Sequence, residues 1–349
     1  METIKTDVLV VGAGPAGSTA AAEAARCGLS VILIERRSKV GEPVQCAEFV
    51  PRPIFQEIEI SSDAISSSVS KMVTYLPSGK GFSIRANGCI LNRDVFDREL
   101  AEKAKEEGVD LLLNTSFVGF EEDGVILRGI DQYKVDVKII IAADGPLSTV
   151  GREIGNRNRE FVSAIQYSLP LTERFDQTEI YFNRKIYGGY GWLFPKGDIA
   201  NVGVGVKINS HSKVFLRRIL DWFVERLKDD GKVRSQILSK TSGLIPVSGI
   251  LQEMYFKNIL FVGDACGMTH SITGQGICQA VIGGKIAGRV AAKHLKFGTS
   301  LSEYKREWMS IFGEEHERAR RRRRILESRW DELEFILPEC WIGFRDYYR

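Results

Sequence analysis

The sequence lacks several features that would place the chain in a specialised class of protein. It has no uninterrupted apolar run of about 18 residues, so no transmembrane helix is expected. Its six cysteines are scattered singly, without a Cys-x-x-Cys pair or a cysteine and histidine spacing for metal, which argues against a disulfide framework and a metal site. A strand-like stretch begins almost at the N-terminus, so we expect no signal peptide and a reducing cytoplasm as the location.

An excess of one charge is also missing, since 48 lysines and arginines face 45 aspartates and glutamates, a net charge of +3. This balance gives no reason to expect a nucleic-acid partner. Charge is nevertheless concentrated near the C-terminus, in Arg318, Arg320, Arg321, Arg322, Arg323 and Arg324. We interpret this run as a solvated helix face, or alternatively as a site that attracts pyrophosphate or the anionic lipid of a membrane surface.

Glycine, by contrast, is plentiful, and the first glycine cluster predicts a nucleotide-binding βαβ unit. A buried strand is followed by Gly12, Gly14 and Gly17, then by an alanine-rich helix and a second strand that ends at Glu35. Gly12 permits a tight turn, Gly14 lets a pyrophosphate approach the backbone, and Gly17 lets the helix pack on the strand. Glu35 lies where a carboxylate binds ribose hydroxyls, which disfavours NADP and leaves NAD or FAD. The alternative is a glycine-rich turn without a ligand.

The rest of the chain interleaves two kinds of pattern. Residues 91–108 predict an amphipathic helix, and residues 134–142 predict a parallel core strand. From about 161 to 247 the chain alternates in the manner of an antiparallel sheet, with a helix at 212–228. Further predicted elements are a strand at 255–264, a helix at 277–294 and a charged helical region at 302–333.

A late glycine cluster is a second candidate for cofactor contact. Asp264 follows Gly263 after a predicted strand, where its carboxylate would accept hydrogen bonds from ribityl hydroxyls. Gly274 and Gly276 open a helix whose amides would stabilise negative charge at a flavin pyrimidine. The alternatives are a turn or helix cap for the aspartate and a tight turn for the glycines.

Arg93, at the start of the amphipathic helix, is a third candidate. An arginine at this position would reach a cofactor phosphate. The alternative is an ordinary ion pair within the helix, because Asp97 lies one turn later.

Together these pieces resemble the FAD-dependent family that includes aromatic hydroxylases, geranylgeranyl reductases and flavin halogenases. The resemblance spans nearly all of residues 5–290 and implies FAD as the cofactor. In this family the segment Ala143-Asp144-Gly145 lies near the cofactor, with a structural turn as the alternative. The segments that carry the resemblance are residues 12–17, Glu35, Arg93 with Phe96 and Asp97, residues 143–145, and Gly263-Asp264.

Within that family, residues 190–195 (YGWLFP) resemble the YxWxFP signature of geranylgeranyl reductases. This likeness implies reduction of isolated C=C bonds in the polyisoprenoid chain of a lipid, diphosphate or quinone. Alternation along a strand would put Tyr190, Trp192 and Phe194 on one face, where they would line a pocket for flavin and isoprenoid. The alternative for these aromatic residues is plain sheet core.

Cys46, followed by Ala47 and Glu48, resembles the cysteine-containing segment that geranylgeranyl reductases hold near the flavin. The resemblance implies a catalytic thiol that helps to position or protonate the reacting carbons. The alternative is a small buried hydrophobic residue.

These residues and the resemblance together predict an FAD-dependent, geranylgeranyl reductase-like oxidoreductase. No second glycine motif is present for a separate nicotinamide-binding domain. The expected electron donor is therefore NAD(P)H that docks transiently, or ferredoxin. Aromatic monooxygenation is the main alternative; halogenation and electron transfer without turnover are others. The predicted cofactor-binding residues are Gly12, Gly14, Pro15, Ala16, Gly17, Glu35, Arg36, Cys46, Ala47, Arg93, Asp144, Gly145, Gly263, Asp264, Gly274, Gln275, Gly276 and Ile277.

The predicted fold is α/β, with a Rossmann-like FAD-binding domain of ββα topology interleaved with an antiparallel β-sheet substrate domain. A helical segment forms the C-terminus. The predicted FAD-binding domain is discontinuous and comprises residues 1–70, 88–158 and 248–298. The substrate domain comprises 71–87 and 159–247, and the C-terminal helical segment comprises 299–349.

Overall fold

A computed structural model describes residues 3–122, 124–207 and 216–348 of the chain. Within these ranges, sixteen strands form two sheets of eight, accompanied by seven α-helices. Strands and helices are numbered along the chain. The helices are α1 (Pro15–Arg26), α2 (Arg93–Glu106), α3 (Thr149–Glu153), α4 (Leu216–Asp229), α5 (Ile277–Phe297), α6 (Ser302–Ser328) and α7 (Leu333–Cys340).

The first sheet carries the nucleotide motif. Its apolar runs are buried as in other parallel sheets: β1 pairs in parallel with β2 and β9, β9 with β16, and β2 with β6. The antiparallel strands β7 and β8 extend from β9. The strands are β1 (Thr3–Val11), β2 (Val31–Ile34), β6 (Asp110–Leu112), β7 (Ser116–Glu121), β8 (Gly124–Arg128), β9 (Gln132–Ala142), β15 (Tyr255–Phe256) and β16 (Ile259–Phe261).

Small residues let the first helix pack at close range on the sheet and on α5. A Cβ at Gly17 would lie 1.8 Å from the Gly12 carbonyl oxygen, so no larger residue fits there. A Cβ at Gly284, on α5, would lie 2.4 Å from the Ala16 carbonyl oxygen. The beginnings of α1 and α5, which carry the two predicted glycine clusters, therefore belong to one tightly packed unit.

The second sheet has the strand order β14-β10-β13-β12-β11-β4-β5-β3. The pairing is antiparallel, as predicted, except between β4 and β11, which run parallel. These two strands lie about a hundred residues apart, on either side of a long excursion into the first sheet, so no hairpin dictates their direction. The strands are β3 (Phe49–Pro51), β4 (Ile65–Tyr75), β5 (Gly81–Leu91), β10 (Phe161–Pro170), β11 (Gln177–Tyr181), β12 (Tyr190–Lys196), β13 (Ile199–Lys207) and β14 (Ser239–Pro246).

Two predicted elements differ from the structure, and a third lies partly outside the described ranges. The single strand at 255–264 is wrong: Lys257 adopts φ +52° in a turn between β15 and β16, and a 3₁₀ turn follows at Gly263–Cys266. The helical region at 302–333 breaks after Ser328. The first residues of the helix predicted at 212–228 lie outside the described ranges, and α4 covers the remainder.

The second sheet also takes residues that the predicted domain division assigns to the FAD-binding part. Strand β3 pairs with β5, and β4 begins at Ile65 rather than near residue 71. The division into domains stays a prediction. Among the described residues, no helix has the length and apolar composition needed to cross a bilayer.

The arginine run on α6 does not form one solvated face. Arg323 is 5% exposed, and its guanidinium donates to the carbonyl oxygens of Ser271 (2.7 Å) and Gly188 (2.8 Å). Arg321 and Arg324 are exposed, whereas the other three are partly buried. Arg323 thus joins α6 to the loop before α5, a role that charge counting could not reveal.

His316 is a second buried polar side chain of α6. It is 4% exposed and packs against the rings of Trp308 (centroids 5.0 Å apart), His270 (5.9 Å) and Phe312 (6.3 Å). Neither ring nitrogen has a hydrogen-bond partner among the described residues. Burial, assisted by His270 and opposed by Glu315, lowers the pKa of His316 from 6.5 to about 4.

This depressed pKa predicts an acid-sensitive fold. Between pH 6.5 and about 4 the unfolded chain binds the His316 proton and the folded chain does not, so the contribution is complete above this window and is lost as the pH falls. We expect His316 to lower the free energy of unfolding by roughly 2 kcal/mol between pH 7 and pH 5. Urea unfolding of wild type and His316→Phe at both pH values tests this, because the variant should lack that part of the loss. An equal loss in both proteins would contradict it.

Candidate active site

A cavity of about 430 Å³ is lined by both sheets and by the first residues of α1 and α5. Its wall on the side of the first sheet is built from glycines, backbone amides and Asp264. The predicted site residues that line it are Gly14, Pro15, Ala16, Cys46, Ala47, Arg93, Gly145, Tyr190, Trp192, Phe194, Gly263, Asp264, Gly274, Gln275, Gly276 and Ile277. The predicted residues outside the lining are Gly12, Gly17, Glu35, Arg36 and Asp144.

The glycine loop presents free donors to this cavity. Gly12 has φ +101°, and a Cβ there would lie 2.5 Å from the Ala143 carbonyl oxygen, so the turn requires glycine. Helix α1 begins at Pro15 with Gly14 as its N-cap and no side-chain cap. A Cβ at Gly14 would meet no atom within 4 Å, so the backbone there is open to a ligand. This arrangement of open space and uncapped amides fits the pyrophosphate of a dinucleotide.

Glu35 does not line the cavity, but its side chain holds the glycine loop in place through hydrogen bonds. Its carboxylate accepts hydrogen bonds from the amides of Ala13 (3.1 Å) and Arg37 (3.0 Å), which ties the end of β2 to the glycine turn. Arg36 is exposed and contributes nothing to the lining. Their contact with a ribose stays a prediction.

The late glycine cluster meets the first one directly. Gly263 has φ +60°, and a Cβ there would lie 2.9 Å from the Ala16 Cβ, which brings the two turns into contact. The Asp264 carboxylate accepts a hydrogen bond from the Thr269 hydroxyl (2.6 Å). Burial raises the pKa of Asp264, while Thr269 and the charge of Arg93 oppose the rise. Helix α5 also begins without a side-chain cap, at Gly276, which leaves its amides open to the cavity.

Arg93 forms the ion pair considered for it and also reaches the cavity; its contact with a cofactor phosphate stays a prediction. Its guanidinium donates to the two carboxylate oxygens of Asp97 at 2.7 and 2.8 Å, so the intrahelical ion pair is formed. The same side chain lines the cavity. The bidentate pair therefore holds a guanidinium in a fixed orientation at the cavity wall.

Asp144 does not line the cavity. Its carboxylate accepts hydrogen bonds from the Ser148 hydroxyl (2.6 Å) and from the amides of Thr149 (2.6 Å) and Val150 (3.2 Å), which satisfies the start of α3. Gly145, the next residue, does line it. The hydrogen bonds of Asp144 form the structural turn that was considered as the alternative for this segment. The turn positions the Gly145 backbone at the cavity wall.

Cys46 lines the cavity and is partly exposed. Its sulfur accepts a hydrogen bond from the Glu48 amide (3.2 Å), and its carbonyl oxygen accepts one from the Gln166 side chain (3.2 Å). Burial raises the pKa of the thiol, with the charge of Arg93 opposing the rise. The thiol therefore stays protonated near neutral pH and holds a proton at the cavity surface.

The principal residue that sequence reasoning missed is Glu48. It is 2% exposed and has φ +73°. Its carboxylate pairs with the Lys196 ammonium (2.7 and 2.8 Å) and accepts hydrogen bonds from the Asn201 side chain (2.7 Å) and the Arg93 amide (3.1 Å). The sequence offers one indication: Glu48 is an acidic residue two positions after Cys46, and it directly precedes the apolar strand β3. The Lys196 and Asn201 side chains that pair with Glu48 lie about 150 residues away along the chain, so no local pattern indicates them.

The aromatic strand β12 presents alternate residues to the cavity, as its sequence predicts. Tyr190, Trp192 and Phe194 line it, whereas Leu193 packs on the opposite face with Phe223 of α4. The Trp192 indole donates to the Gln166 side chain (2.9 Å), which in turn donates to the Cys46 carbonyl oxygen. The strand thus supports both the apolar wall and the cysteine segment.

Two further supports of the cavity were also missed. The His270 ring accepts from the Thr273 amide (3.2 Å) and contacts Glu315 on α6 (3.1 Å), which braces the loop before α5. Trp341 and Ile342, beyond α7, also line the cavity. Nothing in their local sequence distinguishes these residues from ordinary core.

Comparison with protein families divides the chain into two matched segments. Residues 7–145 match the FAD dependent oxidoreductase family, and residues 160–245 match the geranylgeranyl reductase catalytic domain. The chain is 34% identical to digeranylgeranylglycerophospholipid reductase of Methanocaldococcus jannaschii, over 96% of this chain and 90% of that protein. It is 36% identical to digeranylgeranylglycerophospholipid reductase 2 of Methanosphaera stadtmanae, over 89% and 84% of the two chains.

Solved structures with the same fold include one similar in sequence. A geranylgeranyl bacteriochlorophyll reductase-like protein from Thermoplasma acidophilum superposes with a TM-score of 0.86 at 31% identity, covering 96% of this chain and 92% of that one. A flavin-dependent brominase superposes with a TM-score of 0.77 at 17% identity, covering 99% and 92%. At that identity the brominase shows the fold alone.

The Glu48 network generates a prediction that separates stability from cofactor binding. Glu48→Gln leaves the Lys196 ammonium buried without a counter-charge, which should lower the free energy of unfolding by about 3–5 kcal/mol. It should also weaken FAD binding about tenfold, because the carboxylate holds the segments that carry Cys46 and Arg93. Urea unfolding and fluorescence titration with FAD measure the two effects.

The matched control is Glu179→Gln. Glu179 is equally buried and pairs with Lys232 (2.6 Å), but neither side chain lines the cavity. This variant should lose stability without losing FAD affinity at temperatures where it is folded. Equal effects of the two substitutions on FAD affinity would contradict the assignment.

Proposed function

Because the chain belongs to the geranylgeranyl reductase family of FAD-dependent oxidoreductases, we propose that it reduces C=C bonds in the isoprenoid chains of a membrane lipid. The lipid is of the digeranylgeranylglycerophospholipid class, the substrate class named for the relatives at 34–36% identity. The observation that carries the proposal is a single cavity that joins the nucleotide-binding turns to a wall without charge. Every lining residue that the second sheet contributes is apolar or uncharged, as an isoprenoid chain requires.

FAD is the cofactor, and its reduced ring supplies a hydride when it is bound. The uncapped amides at the start of α1 would hold the pyrophosphate. The Asp264 carboxylate would accept hydrogen bonds from ribityl hydroxyls, and the backbone amide of Gly276 would face the pyrimidine, whereas the Gly274 amide already donates to the His270 carbonyl oxygen. Both helix starts place partial positive charge where the cofactor carries or gains negative charge.

The apolar wall orients the substrate and excludes water. An isolated alkene has no polar group for an enzyme to grip, so its approach is set by the shape of the cavity. Tyr190, Trp192 and Phe194 provide broad rigid faces, and their indole and phenol groups are already engaged by Gln166 and the Thr273 carbonyl oxygen. Water is thereby kept from the reacting carbons, which limits competing reactions of the reduced cofactor.

The second hydrogen of the reaction is a proton. One alkene carbon receives a hydride and the other a proton, so the double bond becomes a saturated C–C bond. The Cys46 thiol is the group we assign to this proton, because it is protonated, partly exposed to the cavity and fixed by the Glu48 amide. Arg93 lies close enough to offset part of the cost of a transient thiolate.

The direct test is an anaerobic incubation of dithionite-reduced holoenzyme with digeranylgeranylglycerophospholipid. We expect reoxidation of the flavin spectrum and a mass gain of about 2 Da for each double bond reduced. The saturated lipid is the control and should leave the flavin reduced. A flavin that stays reduced with both lipids, or rapid oxygen-dependent NAD(P)H oxidation stimulated by phenols, would contradict the proposal and favour a monooxygenase.

The role of Cys46 is tested separately. Cys46→Ala should slow lipid reduction about 100-fold in single-turnover experiments, since it removes a positioned proton donor. The flavin spectrum and FAD affinity should change little. Cys278→Ser is the control, because Cys278 is partly buried near the same loop but does not line the cavity. Equal rates for wild type and Cys46→Ala would remove the thiol from the mechanism.

A further inference from the structure

One side of the cavity is closed by residues from outside both matched family segments. Trp341 follows α7 in an extended conformation and is 1% exposed to solvent, yet it lines the cavity. Its indole nitrogen donates to the Thr74 hydroxyl (2.9 Å) on β4. The C-terminal segment therefore contributes a large, anchored ring to a wall otherwise built by the second sheet.

The ring cannot readily move. It packs edge to face on Phe182 (centroids 5.0 Å apart) and on Tyr190 (5.2 Å). On another side, a Cβ at Gly343 would lie 2.9 Å from the Trp341 Cδ1 atom. These contacts and one hydrogen bond hold Trp341 in one orientation, with its free side toward the cavity.

On adjacent strands, the residues that follow the last lining residue contact Trp341 instead of the cavity. On β4, Met72 lines the cavity, but Thr74, the next residue on that face, does not, and it is bonded to Trp341. After β11, Phe182 follows Ile180 on the same face and packs against Trp341 instead of lining the cavity.

Strand β5 shows the same limit. Ile84 lines the cavity, whereas Phe82, two residues away on the same face, packs on Phe344 (centroids 5.1 Å apart). In the sheet register Met72 stands opposite Ile84 and Thr74 opposite Phe82, so both strands end their contribution at one row. That row is where the C-terminal segment lies.

We propose that Trp341 is the end-stop of the isoprenoid channel and determines the length of chain that the enzyme accepts. This inference rests on the proposed function. Two residues along a strand span about 7 Å, enough to take the four main-chain carbons of one isoprene unit. Removing the indole would uncover Thr74 and Phe182, both of which contact it, and lengthen the apolar channel by on the order of one unit.

Trp330 is a matched control for the loss of a buried indole. It belongs to the same hydrophobic cluster, is 6% exposed, and donates to the Arg184 carbonyl oxygen (3.1 Å). Its ring packs edge to face on Tyr187 (5.5 Å) and does not line the cavity. A substitution at Trp330 costs stability in the same core without changing the channel.

The experiment compares Trp341→Leu, Trp341→Phe and Trp330→Leu holoenzymes with wild type. Substrates share one glycerophosphate headgroup and carry chains of three, four or five isoprene units. We expect Trp341→Leu to shift the kcat/KM ratio of the five-unit to the four-unit chain about tenfold toward the longer chain. Trp341→Phe should shift it less, and Trp330→Leu should keep the wild-type ratio. Trp341→Phe also keeps the test available should the leucine variant not fold.

A second measurement does not depend on turnover. Saturated analogues of the three lengths are titrated into oxidised holoenzyme, and binding is followed by the perturbed flavin absorbance. The chain-length dependence of Kd should shift toward longer chains in the Trp341 variants alone. Wild-type length profiles in both Trp341 variants would overturn the end-stop. Wild type that binds or reduces none of the chains would instead overturn the proposed function.

Discussion

The buried carboxylate of Glu48 is the contact on which the site depends. It neutralises Lys196 from β12, accepts the first amide of α2 and holds the segment that carries Cys46. One ion pair thereby joins the aromatic strand, the helix bearing Arg93 and the cysteine loop. A buried ion pair adds little net stability, but each partner left alone would be costly. Loss of the Glu48 carboxylate would therefore disturb the positions of all three segments at the cavity.

Around that contact the two sheets supply opposite chemistry to one cavity. The first sheet ends in turns where glycine allows backbone atoms to approach within contact distance, and two helix starts leave their amides free. The second sheet contributes a wall without charge. Charge and donors at one end and apolar surface at the other match a flavin dinucleotide next to a hydrocarbon chain. The C-terminal segment then closes the apolar end with Trp341.

Several elements follow from local pattern because their physical cause is local. Close packing of strand and helix demands glycine at position 17, and alternation along β12 places Tyr190, Trp192 and Phe194 on one face. Other contacts could not be predicted, because local pattern carries no information about distant partners. Asp144 caps α3 instead of lining the cavity, and Arg323 is buried in contact with two carbonyl groups instead of joining a solvated face.

The amino-acid sequence by itself determined the nucleotide fold, the FAD cofactor and the reductase resemblance, because turn geometry and strand alternation act over a few residues. Tertiary structure alone decided that Glu48 meets Lys196 and Asn201, that His270 braces the loop before α5, and that Trp341 ends the channel. Those pairs are separated by tens to hundreds of residues. Burial and pairing over such distances depend on how the two sheets pack, which no short segment of the chain specifies.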